Sequence, residues 1–513
     1  MQDKSLAARV FPSLSDFAFL APAVLLFVVM AGSANLLADG DTGWHLRSGD
    51  WILEHHAVPT SDFFSFTKPG QPWFAWEWLW EASFALLHRM AGMPAVLLAS
   101  VAVLCFTSLL LFQFIRRQAG NDLIAFAVTL LSVFGMSIHF LARPHLFSFL
   151  FAVILLGLIE SRRMSGRSAP WIAIPLFVLW ANVHPGFAVG LIILAAYTAA
   201  ELLGAITSTK PEERRFRMTG FQRYCLLTAA CAIAPLANPY GYHLYAHMLS
   251  FLSDPYVLRH VAEYMPIDFR MPPGRAFELM LMLGAPAAVA PLRYRQFAPL
   301  MLYVFWAHLG LMASRNVPFF MIAMAAPVAV WLEQVVAAIA EAPVAESIRQ
   351  AADGFRRFAA EFREDDRTAR INLFSLGAMV VIFLLLRSPG APPKFQAHYD
   401  PESYPEAALP AVRQLGPSAR VFSTDLWGGF LVYRIPGERI FWDGRVDFYG
   451  TAYNQAAVDA AMGRPDWIKT LAGNRITAAL IPPGLPLATL LAGSPGWRPV
   501  YRDQTAVLFE ALQ

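Results

Sequence analysis

Two carboxylates stand one residue apart near the start of the chain. Asp39 and Asp41 are flanked by Gly40 and Gly43 and follow directly after the first long apolar run. At a helix end, two such side chains can converge on one point where a bilayer meets water. The pair is suited to taking a proton from a hydroxyl group or to binding a divalent cation, Mg²⁺ or Mn²⁺, that faces a phosphate. A polar helix cap and turn is the structural alternative. We predict that Asp39 and Asp41 are catalytic.

The residues that follow this pair include six of the fourteen Trp of the chain, together with His and Glu. Trp is common at membrane interfaces, but aromatic faces also stack on sugar rings, and the carboxylates of Glu77 or Glu81 would hydrogen-bond sugar hydroxyls. His45, His55 and His56 lie near carboxylates and could ligate a metal, although their spacing matches no known zinc pattern. We predict that His45 and Glu77 bind substrate.

Further polar residues stand at the ends of later apolar runs, and ionisable residues at membrane depth usually line a cavity. Two arginines among them match what a lipid phosphate needs, because a guanidinium group binds phosphate oxygens through two parallel hydrogen bonds. Snorkelling of the side chain to the interface, or helix capping, is the alternative for each residue. The predicted substrate-binding residues of this kind are Arg143, His145, His184, Asn238, Tyr240 and Arg315.

The composition indicates a membrane protein. Of the 513 residues, 57% are hydrophobic and 15% are charged, whereas about 25% of the residues in a soluble domain are charged. A bilayer core needs about 20 apolar residues per helix. The sequence therefore predicts an α-helical polytopic membrane protein with about eleven transmembrane helices. The apolar runs lie near 16–37, 93–115, 122–141, 144–160, 170–183, 185–206, 222–237, 276–291, 296–312, 317–338 and 371–387.

The connections between successive apolar runs alternate between many and few Lys and Arg residues. The connections rich in basic residues contain Lys4 and Arg9, Arg116 and Arg117, Arg162, Arg163 and Arg167, the segment 210–223, Arg293 and Arg295, and six Arg between 349 and 370. Basic residues favour the cytoplasmic side. We therefore predict a cytoplasmic N-terminus, a first run retained as an anchor and not cleaved as a signal peptide, and an outer location for residues 388–513.

Three water-exposed blocks remain between and after the runs. The first loop, 38–92, is predicted to carry the catalytic residues of a transmembrane domain, 1–387. The segment 339–370 places Ile348, Phe355 and Phe358 on one helical face, which predicts an amphipathic linker on the cytoplasmic membrane surface. Residues 388–513 combine short apolar runs such as RVFST, RIFWD, ITAALIP and TAVLFEA with helix-like stretches near 453–462 and 485–492. That pattern predicts a small α/β domain.

Charge and cysteine content exclude other classes. A net charge of +3 without a basic arm is too small for a nucleic-acid-binding surface. Cys105, Cys225 and Cys231 all lie in apolar runs, so no disulfide framework holds the exposed blocks together.

Four sequence segments resemble the C-type glycosyltransferase superfamily of polytopic membrane enzymes, which includes protein mannosyltransferases and oligosaccharyltransferase catalytic subunits. They are Asp39–Leu46 (D-x-D-x-G-W-H-L), Asn238–Gly241 (N-P-Y-G), Trp427–Gly429 (W-G-G) and Asp443–Arg445 (D-G-R). The likeness is greatest to uncharacterised bacterial members. A W-W-D-x-G signature of oligosaccharyltransferases is absent, since Phe441–Gly444 matches it only distantly.

The resemblance implies transfer of a sugar from a polyprenyl-phosphate carrier to a glycan, lipid or protein acceptor on the outer face of a bacterial cytoplasmic membrane. It implies that Asp39 or Asp41 acts as general base or helps to hold a metal. Carboxylate ligands of a metal would then come from Asp41 and from a later loop that contains Asp254, Glu263 and Asp268.

Two alternatives to an enzyme stay open from the sequence. One is a transporter or lipid-handling membrane protein without chemistry, although no internal duplication of the kind common in transporters is present. The other is an inactive scaffold of the enzyme fold.

Overall fold

The structure is a computed structural model that describes residues 12–166, 169–366 and 373–512. A bundle of α-helices extends to position 387, and a smaller unit with a four-stranded sheet follows. The helices of the bundle are α1 (Leu14–Val24), α2 (Ser33–Leu36), α3 (Asp41–His55), α4 (Trp78–Ala91), α5 (Met93–Ala119), α6 (Asp122–Met136), α7 (Leu146–Met164), α8 (Ala173–Val183), α9 (Phe187–Thr207), α10 (Pro211–Ile233), α11 (His243–Ser253), α12 (Pro255–His260), α13 (Pro272–Val289), α14 (Ala298–Met312), α15 (Val317–Glu341), α16 (Glu346–Asp366) and α17 (Leu373–Arg387).

Each predicted apolar run overlaps one of these helices. In the described part of the chain, five helical segments are long and apolar enough to cross a membrane, which indicates a membrane protein. These are Met93–Ala119, Asp122–His139, Phe187–Thr207, Pro272–Tyr294 and Ser314–Glu341, and the shorter apolar helices are Leu14–Val29, Ala173–Val183, Ala298–Met312 and Leu373–Arg387. The count of about eleven spans stays a prediction. Of the charges used for the topology, Lys4, Arg9, Arg167, Arg367 and Arg370 lie outside the described residues.

The first predicted run, 16–37, forms a shorter helix than expected. A π-helical turn, Leu25–Val29, ends α1, and the chain then turns at Gly32. The positive φ of Gly32, 62°, favours glycine, and an added Cβ would clash with the carbonyl group of Lys394. The polar segment with Asp39 therefore follows a turn and the short α2, and not α1 itself.

The first loop is a packed unit. Its helices α3 and α4 are in backbone contact, because an added Cβ at Gly49 would clash with the Glu81 carbonyl group. Between these helices the chain is tied to the C-terminal unit by a bridge of Ser65 with Ile440, in which Phe66 N–H donates to Ile440 O at 3.0 Å. The loop is thus held between the bundle and the C-terminal unit.

The C-terminal unit contains the predicted α/β structure. Its sheet has the order β1-β2-β4-β3, with β1 parallel to β2 and the other two pairs antiparallel. The elements are α18 (Leu409–Gln414), β1 (Val421–Phe422), α19 (Asp425–Arg434), α20 (Val446–Tyr449), α21 (Thr451–Ala461), α22 (Trp467–Gly473), β2 (Ala478–Ile481), α23 (Pro486–Ala492), β3 (Trp497–Arg502) and β4 (Val507–Ala511).

Strand β2 is buried on both faces, which its run of apolar residues predicts. Ala478 and Leu480 belong to a core continuous with the helix bundle, whereas Ala479 and Ile481 belong to a second core beneath α21 and α23. The RIFWD run does not enter the sheet. Its Ile440 pairs with Ser65 of the first loop instead.

The predicted amphipathic linker is α16. Phe355 packs against the core of the bundle, while Ile348 and Phe358 are more than half exposed. The helix therefore has one apolar edge seated on the bundle and apolar side chains left uncovered beside it, as expected for a helix at a membrane surface.

Candidate active site

One arginine binds both carboxylates of the first motif. Arg143 Nη1 donates to Asp39 Oδ2 at 2.8 Å, and Arg143 Nη2 lies 3.0 Å from Asp41 Oδ2. Trp44 Nε1 donates to the other oxygen of Asp41 at 3.0 Å. The Arg143 side chain is 23% exposed, so the cluster is accessible from one side. The structure thus brings together Asp39, Asp41 and Arg143, three residues that the sequence predicted.

Hydrogen bonds between two connections position this cluster. The N–H of Ala142 donates to Leu36 O at 2.7 Å, and the Thr42 hydroxyl donates to Ala142 O at 3.1 Å. Asn35 donates to Phe140 O at 2.9 Å. The segment that carries Arg143 is therefore fixed against the segment that carries the two Asp residues.

Glycines allow the C-terminal unit to approach the same point. Gly429 of α19 lies against the carbonyl group of Gly40, and Gly43 lies against the carbonyl group of Gly429, so a Cβ at either position would clash. Gly444 lies directly against the Asp41 carboxylate. The W-G-G and D-G-R segments therefore enclose the D-x-D segment, although almost 400 residues of chain separate them.

A buried arginine joins the first loop to the C-terminal unit. Arg445, 2% exposed, donates through Nε and Nη2 to Asp443, at 2.8 and 2.7 Å, and its Nη1 lies 2.9 Å from Asp62 Oδ1. The rings of Phe64, Trp73 and Phe448 surround its guanidinium group at 4.8 to 5.0 Å. The D-G-R segment stands out in the sequence as a motif, but its residue types do not indicate this structural role.

A second acidic group lies one helical turn beyond Asp41. His45 Nδ1 lies 2.8 Å from Glu81 Oε1, and both side chains are buried. The carboxylate of Glu77 completes the group: one ligand atom from each of His45, Glu77 and Glu81 lies within 4.8 Å of the other two. It is the one such group of three among the described residues.

Burial changes the pKa of the carboxyl groups here. The pKa of Asp41 is raised to about 7 by loss of water, against the opposing charge of Arg143. Burial likewise raises the pKa of Glu77 to about 7 and the pKa of Glu81 well above its usual range. The pKa of His45 is lowered by burial and by the charge of Arg143, so the neutral forms of these groups are favoured.

Arg315 belongs to a neighbouring cluster. Its Nη1 donates to Glu263 Oε1 at 2.9 Å and to the Tyr264 hydroxyl, and His139 Nε2 lies 3.3 Å from the other Glu263 oxygen. The charges of Arg315, His139 and Arg143 hold the pKa of Glu263 well below its usual range despite burial. Glu263 is therefore a carboxylate already compensated by cations.

Four other predicted substrate-binding residues make structural contacts. His145 Nε2 bonds to His139 O at 2.8 Å, and His184 Nδ1 accepts from Gly186 N–H at 3.0 Å. Asn238 accepts from the N–H of Tyr240 at 2.8 Å, which forms a turn. The Tyr240 hydroxyl donates to Pro59 O at 3.1 Å and accepts from Ala75 N–H at 3.2 Å, so N-P-Y-G supports the first loop.

Of the predicted carboxylate metal ligands, Asp254 caps helix α12 and Asp268 closes a turn. Asp254 accepts from Tyr256 N–H at 2.8 Å and from the Thr451 hydroxyl at 2.9 Å. Asp268 is exposed and accepts from Arg270 N–H at 2.8 Å. Neither belongs to the three-residue group described above.

An aromatic cavity of about 350 Å³ lies between the first loop, α11 and the C-terminal unit. It is lined by Trp73, Phe74, Trp76, His243, His247 and Phe251, with Asp254 and Asp447 at its edge. Trp76 stacks on His247 with ring centroids 4.4 Å apart. The aromatic residues of the first loop thus line a concave surface near the acidic cluster.

The comparisons with solved structures identify the fold. The oligosaccharyltransferase of Archaeoglobus fulgidus in its apo form superposes with a TM-score of 0.56 at 12% identity, over 91% of this chain and 69% of that one. The oligosaccharyltransferase AglB from Archaeoglobus fulgidus, in complex with an inhibitory peptide and a dolichol-phosphate, gives 0.55 at 12% identity over the same shares. ArnT from Cupriavidus metallidurans gives 0.45 at 14% identity, over 98% and 93%.

No family sequence model and no curated protein sequence matches the chain. The structural likeness covers the bundle and the C-terminal unit together, and it agrees with the resemblance carried by the four sequence segments. The chain therefore has the fold of the C-type membrane glycosyltransferases.

Proposed function

We propose that the chain is a membrane glycosyltransferase that moves a sugar from a polyprenyl-phosphate-linked donor to a glycan, lipid or protein acceptor. The observation that carries this proposal is the partly buried carboxylate of Asp41, which Arg143 contacts. Both residues lie at the end of the bundle from which the first loop extends. The proposed reaction takes place on the outer face of the bacterial cytoplasmic membrane, with transmembrane domain 1–387 and outer domain 388–513.

In the proposed step, Asp41 accepts the proton of an acceptor hydroxyl group. The hydroxyl oxygen forms a bond to the anomeric carbon of the donor sugar. The bond between that carbon and the phosphate oxygen breaks, and its electron pair remains on the polyprenyl phosphate. A carboxyl group with a pKa of about 7 is suited to this proton transfer, since a base works best with a pKa near the working pH.

The two arginines supply positive charge for the phosphate. Arg143 and Arg315 lie near enough for their charges to repel each other, and each is partly exposed. A phosphate that approached would take up hydrogen bonds from these guanidinium groups, in competition with the carboxylates that hold them now. Arg143 would thereby pass from Asp41 to the donor, which leaves Asp41 free to accept a proton.

The aromatic cavity supports binding of the acceptor. Trp and Phe rings offer apolar faces to a sugar ring, while Asp254 and Asp447 offer acceptors for its hydroxyl groups. A divalent cation, when bound, would supply further positive charge for the leaving phosphate, and His45, Glu77 and Glu81 are the residues grouped to hold one.

The experiment compares cell-surface glycans of a wild-type and a deletion strain, and then restores the gene as wild type, Asp41→Asn or Glu54→Gln. Glu54 is an exposed carboxylate at the far end of the same helix, α3, and is the matched control. We expect a sugar missing in the deletion strain to return with wild type and Glu54→Gln but not with Asp41→Asn. Identical glycans in all strains would favour the transporter or lipid-handling alternative.

A further inference from the structure

The group of His45, Glu77 and Glu81 contains a buried carboxyl group with an unpaired oxygen atom. Glu81 is 0% exposed, and the only described hydrogen bond of its side chain is to His45 through Oε1. Its second oxygen, Oε2, is buried without a hydrogen-bond partner. A buried carboxyl oxygen without a protein partner is costly, so Glu81 Oε2 is available to bind a cation.

The neighbouring acidic residues differ in this respect. Asp39 and Asp41 share Arg143, and Glu263 is paired with Arg315. A cation that approached these three carboxylates would meet a guanidinium group already in place. Within the described ranges, neither Glu77 nor Glu81 forms an ion pair with Arg or Lys. Of these five carboxylates, Glu77 and Glu81 are therefore the two without an arginine partner.

We propose that His45, Glu77 and Glu81 form a binding site for one divalent transition-metal ion, distinct from the Asp39–Asp41 pair that the sequence favoured. One histidine nitrogen and two carboxylates are three protein ligands, and such a set leaves a fourth position for water or a substrate oxygen. Imidazole favours ions such as Zn²⁺, the two carboxylates also suit Mn²⁺, and Mg²⁺ and Ca²⁺ prefer oxygen ligands alone.

The geometry of the site fits this assignment. Ligand atoms bound to one ion at about 2.0 to 2.2 Å lie roughly 3.4 Å apart in a tetrahedral site. His45 Nδ1 and Glu81 Oε1 are already 2.8 Å apart, and the widest separation in the group is at most 4.8 Å. Binding requires the half-buried Glu77 to adjust its position, and the hydrogen bond between His45 Nδ1 and Glu81 Oε1 to open.

The surrounding structure holds two of the ligands rigidly. His45 and Glu81 lie on α3 and α4, whose backbones are in contact at Gly49. The imidazole ring packs against Trp44, with ring centroids 3.6 Å apart, and against Trp80, at 5.4 Å. These rings fix the histidine, and Glu77 is the most exposed of the three ligands, so an ion would enter from the side of Glu77.

Metal content of the purified full-length protein in detergent tests the proposal without any sugar substrate. The protein is stripped with a chelator, loaded with Zn²⁺ or Mn²⁺, washed and analysed by mass spectrometry. We expect one bound ion per chain, retained in a tenfold excess of Mg²⁺. Wild-type protein without bound ion would overturn the proposal.

Variants locate the ion. Loss of the ion is expected in Glu77→Gln, Glu81→Gln and His45→Gln. Retention is expected in Asp41→Asn and in Glu263→Gln, which removes another glutamate next to a histidine but one paired with arginine. An ion lost in Asp41→Asn and kept in Glu77→Gln would overturn the assignment.

Two precautions keep the result decisive. Should the buried Glu81→Gln variant fail to fold, the half-buried Glu77→Gln decides. In wild-type protein loaded with Mn²⁺, electron spin-echo spectra should contain the coupling of one histidine nitrogen, absent in His45→Gln. A bound ion without that coupling in wild type would contradict the site. Because none of these measurements uses a donor or acceptor, they stand or fall separately from sugar transfer.

Discussion

Gly444 lies directly against the carboxylate of Asp41, so that a Cβ at position 444 would clash with Asp41 Oδ1. Asp41 begins α3 in the first loop, and Gly444 belongs to the D-G-R segment of the C-terminal unit. The carboxylate is thus held on one side by Arg143 and covered on the other by a backbone without a side chain. The C-terminal unit forms part of the candidate active site.

Gly444→Ala should therefore reduce sugar transfer with little effect on insertion into the membrane. The added methyl group must displace either the Asp41 carboxylate or the 443–445 backbone, and a misplacement of about 1 Å at a reacting group costs roughly 10²-fold in rate. Transfer is measured by return of the missing glycan or with labelled donor in isolated membranes. Gly473→Ala is the control, because a Cβ there meets no atom within 4 Å. Equal loss in both variants would contradict the explanation.

The rate of transfer should rise with pH through about 7. Asp41 can accept a proton only as the carboxylate, and its pKa is raised to about 7 by burial. Below that pH the rate should fall about tenfold per unit. Initial rates in membranes between pH 5.5 and 8.5 measure the profile, and Glu54→Gln should keep it. A flat wild-type profile over this range would exclude Asp41 as the base.

The raised pKa of Asp41 also makes the stability of the folded protein depend on pH. The folded protein holds the Asp41 proton up to about pH 7, whereas the unfolded chain releases it near the ordinary value of 3.8. The folded state therefore binds more protons between these values, and stability falls as the pH rises through that window. Thermal unfolding of purified protein between pH 5 and 8 should show this decline, and Asp41→Asn should reduce its slope. An unchanged slope would indicate that the Asp41 proton does not distinguish the two states.

Each apolar run found by hydropathy overlaps a helix of the bundle, although the turn at Gly32 divides the run 16–37 and the number of spans stays a prediction. Hydropathy also led to the D-x-D pair and to Arg143, since polar groups at the ends of apolar runs stand out in a sequence. The contact of Arg143 with Asp39 could not be predicted from the sequence. It depends on how the connection 137–145 packs against residues 35–42.

The group around Glu81 was only partly visible in the sequence. Asp41 and His45 are four residues apart, as are Glu77 and Glu81, and residues at that spacing share one helical face. The sequence does not reveal that the two faces meet, which follows from the contact of α3 with α4 at Gly49. Likewise, the RIFWD run has the composition of a strand, but the first loop pairs with it.

Replacement of Arg143 or Arg315 by Lys should weaken donor binding while the charge is kept. Lysine lacks the planar fork that binds two phosphate oxygens. We expect a rise in the apparent KM for the polyprenyl-phosphate donor in either variant, measured in membranes at several donor concentrations. Arg498→Lys serves as the control, since Arg498 pairs only with Glu510 on an exposed strand edge. Unchanged KM in both variants would remove these arginines from the donor site.

Topology is tested by cysteine labelling of intact cells with a reagent that does not cross the membrane. A cysteine introduced at Ser494, in the C-terminal unit, should be labelled, and one introduced at Asp353, in α16, should be labelled only after the cells are opened. The native Cys105, Cys225 and Cys231 are first replaced by Ala, because Cys225 is partly accessible. The reverse pattern would place the candidate active site on the cytoplasmic side.

Arg445 should be required for attachment of the first loop to the C-terminal unit. Arg445→Leu leaves the buried carboxylates of Asp443 and Asp62 without a counter-charge, and loss of one partner of a buried ion pair typically costs about 3 to 5 kcal/mol. Arg498→Leu, whose side chain is 61% exposed and pairs with Glu510, should cost at most about 1 kcal/mol. Thermal unfolding and limited proteolysis of the purified variants measure the difference.

The expected site of cleavage is the first loop. Because the rings of Phe64, Trp73 and Phe448 enclose the guanidinium group, we expect early cleavage within this loop in Arg445→Leu. Equal stability and equal cleavage in the two variants would show that the loop is held by its other contacts, such as those of Tyr240 and Ile440.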